Sequence, residues 1–172
     1  MKRPDSIFWQ SWLLRPIPKL RTFLRFFVTG AGTGYIPWAP GTAGTILAVP
    51  ISLALNRIAA NSLAIALLTL TAFIVTAGWF CQKGEEIFHE KDCQKIVIDE
   101  MAGFLLANFL SPPEFKSTVA AFLLFRFFDI IKPFPAKRAE QIHGGTGVIL
   151  DDLVSGLYAF MILRFLFYWG LA

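Results

Sequence analysis

Five acidic side chains, distant from one another along the chain, are the groups with the clearest capacity for chemistry. They are Asp99, Glu100, Asp129, Asp151 and Asp152. Each adjoins a long apolar stretch, where an acid is costly unless it is paired or functional. Carboxylate oxygens are hard ligands that suit Mg²⁺ beside a phosphate group. The two histidines and two cysteines do not form a zinc-type cluster, so the acids favour magnesium over zinc.

Two basic side chains accompany these acids. Arg126 lies three residues before Asp129, on the same face of a helix, and Lys132 follows where that helix would end. The two could hold phosphate oxygens, Arg126 as a planar fork and Lys132 as a point charge. A structural interpretation stays open, in which Arg126 and Asp129 form a salt bridge and Lys132 anchors a lipid head group. Asp151 and Asp152 would then only complement a helix N-terminus.

A glycine-rich segment, residues 29–45, offers backbone N–H groups together with the hydroxyls of Thr42 and Thr45. A loop of this kind that leads into a helix N-terminus can bind an anion. It is not a P-loop, because no Gly-Lys-[Ser/Thr] ends it, and a packing turn explains it equally well. His143, in a second glycine-rich segment, could donate a proton to a leaving oxygen or could simply form a hydrogen bond.

The elements that must position these groups are predicted to be apolar helices. Hydrophobic residues make up 55% of the chain and charged residues 16%, against about 25% charged in an average soluble domain. Helices are predicted from residue 42 or 43 to 56, then over 63–80 with a more polar extension to 89, 97–110, 117–131 and 150–168. Only the second and last approach the ~20 apolar residues of a membrane span. The predicted fold is therefore an all-α, membrane-associated bundle of about five helices, with Asp151 and Asp152 in the first turn of the last helix.

The order of charges along the chain predicts an orientation. If each apolar helix crosses the membrane once, 13 of the 16 Lys and Arg residues fall on one side. Basic residues concentrate on the cytoplasmic side of inner-membrane proteins. All five acids fall at that same end of the bundle, as does the glycine-rich loop. We therefore expect one polar site, facing the cytoplasm.

The N-terminal segment, residues 1–27, is basic and aromatic and is predicted to lie at a membrane surface, apart from a helical domain over 28–172. A disordered tail followed by a buried helix is the alternative. The net charge of +4 fits an anionic lipid surface. No nucleic-acid-binding motif accompanies it, so nucleic acid is not an expected partner.

Four motifs in this order resemble the phosphatidylglycerophosphatase A family. They are PGTAGT within residues 34–45, IDEMAG at 98–103, FRFFDIIKPFP at 125–135 and HGGTGVILDDLVSG at 143–156. The resemblance covers about residues 28–165. It implies a helical, membrane-associated, Mg²⁺-dependent enzyme that removes the terminal phosphate of phosphatidylglycerophosphate and leaves phosphatidylglycerol and phosphate. Carried over position by position, the motif acids are the five named above and the motif bases are Arg126 and Lys132.

The resulting hypothesis is metal-assisted hydrolysis of a phospholipid phosphomonoester by water. Direct attack by an aspartate, which would form an acyl-phosphate, is the alternative that stays open. Arg126 and Lys132 would neutralise the phosphate, Thr42, Thr45 and His143 would assist in binding it, and Asp99 would be a ligand or the general base. The expected ligands of one or two Mg²⁺ ions are Glu100, Asp129, Asp151 and Asp152.

Two functions of other classes stay open. One is an ion-binding or transport membrane protein with a carboxylate-lined site, which predicts acids near helix centres rather than at helix ends. The other is a helical scaffold without activity, in which replacing the acids would affect folding alone.

Overall fold

Helices account for every regular element in the computed structural model, which describes residues 18–139, 141–142 and 144–170. The all-α prediction is confirmed within these residues. A single turn of 3-10 helix occupies Thr33–Tyr35. The α-helices, in chain order, are α1 (Pro18–Val28), α2 (Pro40–Asn61), α3 (Leu63–Phe88), α4 (Ile98–Ala107), α5 (Phe115–Ile131), α6 (Ala136–Ala139) and α7 (Gly145–Tyr168).

Helix α2 begins earlier than the sequence pattern indicates. Its first residue is Pro40, and proline suits this position because its fixed φ is helical and its missing N–H would have no partner there. Thr42 and Thr45 are therefore helical residues, and the prediction that irregular structure extends to residue 42 or 43 is wrong. The helix also continues past residue 56 to Asn61.

Helix α7 also begins earlier, at Gly145 instead of Leu150. The backbone N–H of Gly145 donates to the side-chain Oε1 of Gln82 on α3, at 2.9 Å. This contact supplies an acceptor for one of the N–H groups that a helix start leaves unpaired. Asp151 and Asp152 thus lie in the second turn of α7, and their predicted place in the first turn is wrong.

Helix α4 is short and lies inside the bundle. Its buried residues include Met101, Phe104 and Leu105, and it packs against α2, α3, α5 and α7. Burial on all sides explains why this helix has no polar face. Its first turn, which carries Asp99 and Glu100, is held at one end of the bundle.

Three helices are long and apolar enough to cross a membrane, namely α2, α3 and α7. The spans in α3 and α7 were predicted, and α2 is a third because it continues to Asn61. Large apolar side chains such as Leu68 and Val75 are exposed on α3, as expected for a surface in contact with lipid. Helices α4 and α5 have 10 and 17 residues and fall below the ~20 residues of a full span.

The opposite end of the bundle is closed by a separate set of hydrogen bonds. Asn56 of α2 donates from Nδ2 to the carbonyl oxygens of Asn108 and Ser111, at 2.8 and 3.3 Å. Arg164 of α7 donates to the carbonyl oxygen of Leu110 at 2.6 Å. These bonds fix the connection between α4 and α5, far from the acids.

Helix α1 packs on α3 through one of its faces. Leu24 and Val28 are buried, while Phe23 and Phe26 are about half exposed. This division gives α1 an apolar outer surface as well as a buried one. The helix runs across residue 27, the predicted boundary between the N-terminal segment and the helical domain. Residues 1–17 of the predicted interfacial segment lie outside the described residues.

Candidate active site

The ends of four helices enclose a polar cleft of about 380 Å³. Its walls are the start of α2, the connection before α4, the start of α4, the end of α5 and the second turn of α7. The charged residues that line it are Asp92, Asp99, Glu100, Arg126, Asp129, Lys132, Asp151 and Asp152. The structure thus brings together all five predicted acids and both predicted bases. Among the described lining residues, six carboxylates face two basic groups.

Three of the acids converge on one point. Asp99, Glu100 and Asp152 each present a carboxylate oxygen, and these oxygens lie within 4.8 Å of one another. Asp99 and Asp152 are almost completely buried. The two elements that meet here are the first turn of α4 and the second turn of α7, which start at the same end of the bundle.

A pair of glycines sets the spacing between α4 and α7. Gly103 follows Asp99 by four residues and Gly156 follows Asp152 by four, so each glycine lies one turn below its carboxylate on the same helical face. A methyl group on Gly156 would collide with the carbonyl oxygen of Gly103. The two backbones are therefore in direct contact, as is common where membrane helices pack through small residues.

Gly41, in the first turn of α2, serves the site in a similar way. A methyl group there would collide with Oε1 of Glu100 and would stand 3.1 Å from Nη1 of Arg126. The absence of a side chain lets the start of α2 approach both charged groups. This residue was not among the predicted site residues, although the glycine-rich pattern around it was the signal that could have identified it.

The remaining two acids are paired with the two bases. Lys132 Nζ donates to Asp151 Oδ2 at 2.7 Å, and Arg126 forms an ion pair with Asp129. Lys132 directly follows Ile131, the last residue of α5, and its φ of 48° is left-handed, a conformation that is common where a helix ends. The structure therefore groups the acids differently from the predicted ligand set, with Asp99 rather than Asp129 or Asp151 in the converging trio.

The electrostatics of the trio fit a bound cation. Burial raises the pKa of Glu100 to about 8, and burial together with the neighbouring charge of Glu100 raises the pKa of Asp99 well above its usual range. Within the described residues, Oε2 of Glu100 and Oδ1 of Asp152 are buried without a hydrogen-bond partner. A cation would supply the missing partner and favour the ionised carboxylates. Because every converging donor is oxygen, the site suits a hard metal ion.

The other predicted site residues are placed as follows. Thr45 is buried, and its hydroxyl donates a hydrogen bond to the Gly41 carbonyl oxygen at 2.8 Å. This hydroxyl hydrogen is therefore used within α2. Neither Thr42 nor Thr45 belongs to the described lining of the cleft. His143 lies outside the described residues. The lining residues that were not predicted include Asp92, and Trp38, which is 93% exposed.

The chain is similar to known proteins over most of its length. Residues 26–167 match the family model described as Phosphatidylglycerophosphatase A. A Haemophilus influenzae protein named Phosphatidylglycerophosphatase A is 32% identical over 151 residues, which cover 86% of this chain and 91% of that protein. The Escherichia coli protein of the same name is 28% identical over 139 residues, or 80% of this chain and 79% of that protein.

A third relative carries a different name. A Bacteroides thetaiotaomicron protein with the provisional name phosphatidylinositol-3-phosphatase is 39% identical over 143 residues, which cover 78% of this chain and 87% of that protein. No solved structure matches this chain. The matched region includes all of the cleft residues described above.

Proposed function

Because this chain belongs to the phosphatidylglycerophosphatase A family of phosphoric monoester hydrolases, we propose that it hydrolyses the terminal phosphate of phosphatidylglycerophosphate with Mg²⁺ as cofactor. The products are phosphatidylglycerol and inorganic phosphate. The observation that carries this proposal is the convergence of three carboxylate oxygens within 4.8 Å, beside Arg126 and Lys132, in one cleft.

Asp99, Glu100 and Asp152 are the residues that would hold the metal ion. Magnesium fits because it binds to carboxylates while keeping room for phosphate oxygens. When bound, it would neutralise phosphate charge and lower the pKa of a coordinated water. A bound metal ion would favour both the ionised carboxylates and the anionic substrate, so metal binding and substrate binding are expected to depend on each other.

The basic side chains bind and orient the phosphate in this proposal. Arg126 is held by Asp129 and Lys132 by Asp151. Both basic side chains are therefore fixed at the cleft before substrate arrives. Fixed charges of this kind stabilise a phosphoryl transition state without reorganising. The reaction breaks the bond between phosphorus and the glycerol oxygen. The oxygen of water joins phosphorus, and the glycerol oxygen receives a proton.

A second candidate substrate follows from the third relative. Phosphatidylinositol 3-phosphate also carries a phosphomonoester on a lipid head group, but the group that must fit the cleft is an inositol ring. The provisional name of the Bacteroides protein makes this lipid the appropriate competitor. A soluble phosphomonoester without acyl chains serves as a third comparison.

Phosphate release from purified protein in detergent tests both parts of the proposal. We expect phosphatidylglycerophosphate to be hydrolysed with a higher kcat/KM than phosphatidylinositol 3-phosphate. We expect EDTA to stop the reaction and added Mg²⁺ to restore it, because the metal ion would supply positive charge to the carboxylates of the trio and to the substrate phosphate. Release that is indifferent to EDTA would contradict the metal assignment, and preference for the inositol lipid would replace the proposed substrate.

We further propose that the protein lies in the bacterial inner membrane with its cleft toward the cytoplasm. The described basic residues in or near the cleft include Lys91, Lys95, Arg126, Lys132, Lys137 and Arg138, whereas the opposite end carries Arg57, Lys116 and Arg164. This asymmetry matches the cytoplasmic bias of Lys and Arg.

Thiol labelling measures the orientation. In a chain with both native cysteines replaced by serine, Lys91→Cys and Arg57→Cys each introduce one exposed thiol. A maleimide that cannot cross the inner membrane should label the Arg57→Cys protein in intact spheroplasts and the Lys91→Cys protein only after lysis, because the membrane separates the two ends of the bundle. The reverse pattern would place the cleft on the outer side.

A further inference from the structure

An apolar groove of about 440 Å³ lies between α2 and α5. Ile46, Val49 and Leu53 line it from α2, and Phe115, Val119 and Phe122 line it from α5. The hydroxyl of Thr118, one of its polar lining groups, donates to the Glu114 carbonyl oxygen at 3.1 Å and is thereby occupied within α5. The groove opens on the outer surface of the bundle, where Ile46 and Phe115 are 58% and 84% exposed.

The groove and the carboxylate cleft are bounded by the same two helices. On α5, Phe115, Val119, Phe122 and Arg126 follow one another at intervals of three or four residues, so they lie along one face. Arg126 reaches the cleft, and Gly41 brings the start of α2 to the same point. Phe122 and Arg126 are one helical turn apart, about 6 Å along the axis. The end of the groove at Phe122 therefore lies about one helical turn from the basic group proposed to bind phosphate, Arg126.

The distance from Phe115, at the far end of the groove, to Arg126 in the cleft matches the length of one acyl chain. Phe115 and Arg126 are eleven residues apart on a continuous helix, which corresponds to about 16 Å. Half of the ~30 Å hydrocarbon core of a bilayer is about 15 Å, the depth that one acyl chain occupies. A phosphate at Arg126 and an acyl chain that reaches Phe115 could thus belong to one lipid molecule.

We propose that this groove holds an acyl chain of the phospholipid whose phosphomonoester enters the cleft, so that the substrate arrives sideways from the membrane between α2 and α5. The proposal rests on the lipid phosphatase function proposed above. Lipid tails are as apolar as the groove lining, so moving an acyl chain from the bilayer into the groove changes its free energy little. The groove therefore orients the substrate more than it increases the affinity for it. The chain held along α5 orients the head group toward Arg126 and the carboxylate trio.

Filling the groove with a bulky side chain tests this inference. Ile46→Trp places an indole in the groove at an exposed position, and Leu123→Trp places the same group on α5 outside the groove lining, at a residue 61% exposed. We expect Ile46→Trp to lower kcat/KM for long-chain phosphatidylglycerophosphate by about tenfold or more relative to Leu123→Trp, because displacing a reacting group by about 1 Å can cost about a hundredfold. Thermal unfolding of both variants identifies any loss of folded protein.

Two further measurements separate this inference from the proposed function. The deacylated head group, glycerophosphoglycerophosphate, needs no groove, so both variants should hydrolyse it at the wild-type rate. A phospholipid with a photoactivatable acyl chain should attach to peptides of α2 and α5 in the wild-type protein, and less in Ile46→Trp. Equal activity of the two variants on the long-chain lipid, or attachment confined to other helices, would overturn the groove assignment. A wild-type protein that releases phosphate from neither substrate would instead refute the proposed function.

Discussion

Replacement of Glu100 by glutamine is expected to reduce kcat/KM for phosphate release by about a hundredfold or more while leaving the fold intact. Changes to groups that merely support metal ligands already cost about 10- to 100-fold, and Glu100 supplies one of the three converging oxygens. A hundredfold loss corresponds to about 2.7 kcal/mol of transition-state stabilisation. The remaining activity should require more Mg²⁺, because one charged donor has been replaced by a neutral one.

The fold should tolerate this change. Burial raises the pKa of Glu100 to about 8, so in the metal-free protein at neutral pH the side chain is mostly a neutral carboxylic acid, which glutamine resembles in shape. Glu86→Gln makes the same chemical change at an exposed position of α3, outside the lining of both the cleft and the groove, and should leave both activity and unfolding temperature unchanged, because an exposed ion pair contributes little to stability. If Glu100→Gln keeps wild-type turnover with an unaltered Mg²⁺ requirement, Glu100 is not a metal ligand.

Alanine in place of Gly156 is expected to destabilise the protein and to impair catalysis at the same time. The added methyl group would collide with the carbonyl oxygen of Gly103, and a backbone atom cannot move aside as a side chain can. Overpacking of this kind costs about 1–3 kcal/mol. The separation of α4 from α7 would also move Asp152 away from Asp99, and a shift of about 1 Å in a reacting group can cost about a hundredfold in rate.

Gly78→Ala is the matched control. Gly78 is also a helical glycine, on α3, but a methyl group there would stand 3.7 Å from Ile149, which is an ordinary contact. Alanine is the better helix former by about 0.5–1 kcal/mol, so this variant should be at least as stable as the wild-type protein. Thermal unfolding in detergent and phosphate release per folded molecule measure both effects. Identical behaviour of the two variants would show that the α4–α7 contact does not set the carboxylate spacing.

Much of the architecture was predictable from the sequence. Apolar stretches separated by short polar connections predict helices that alternate in direction, and alternation assigns each connection to one end of the bundle. Asp99, Asp129 and Asp151 were thereby expected at the same end, and the structure places all of them in one cleft. The helix starts were less predictable. Gly145 begins α7 because Gln82, 63 residues away in sequence, accepts its N–H, and no local pattern reports such a partner.

The sequence by itself determined the composition of the site, namely an excess of acids with two bases at one end of an apolar bundle. Only the tertiary structure decided which acids converge and which are paired. Charge and spacing do not distinguish Asp99, which joins the trio, from Asp129, which pairs with Arg126. The difference depends on how α4 and α7 rotate and approach one another. That approach is set by the backbone contact of Gly103 with Gly156. Two helices that each have a glycine at their contact point can come closer together than helices with larger residues there.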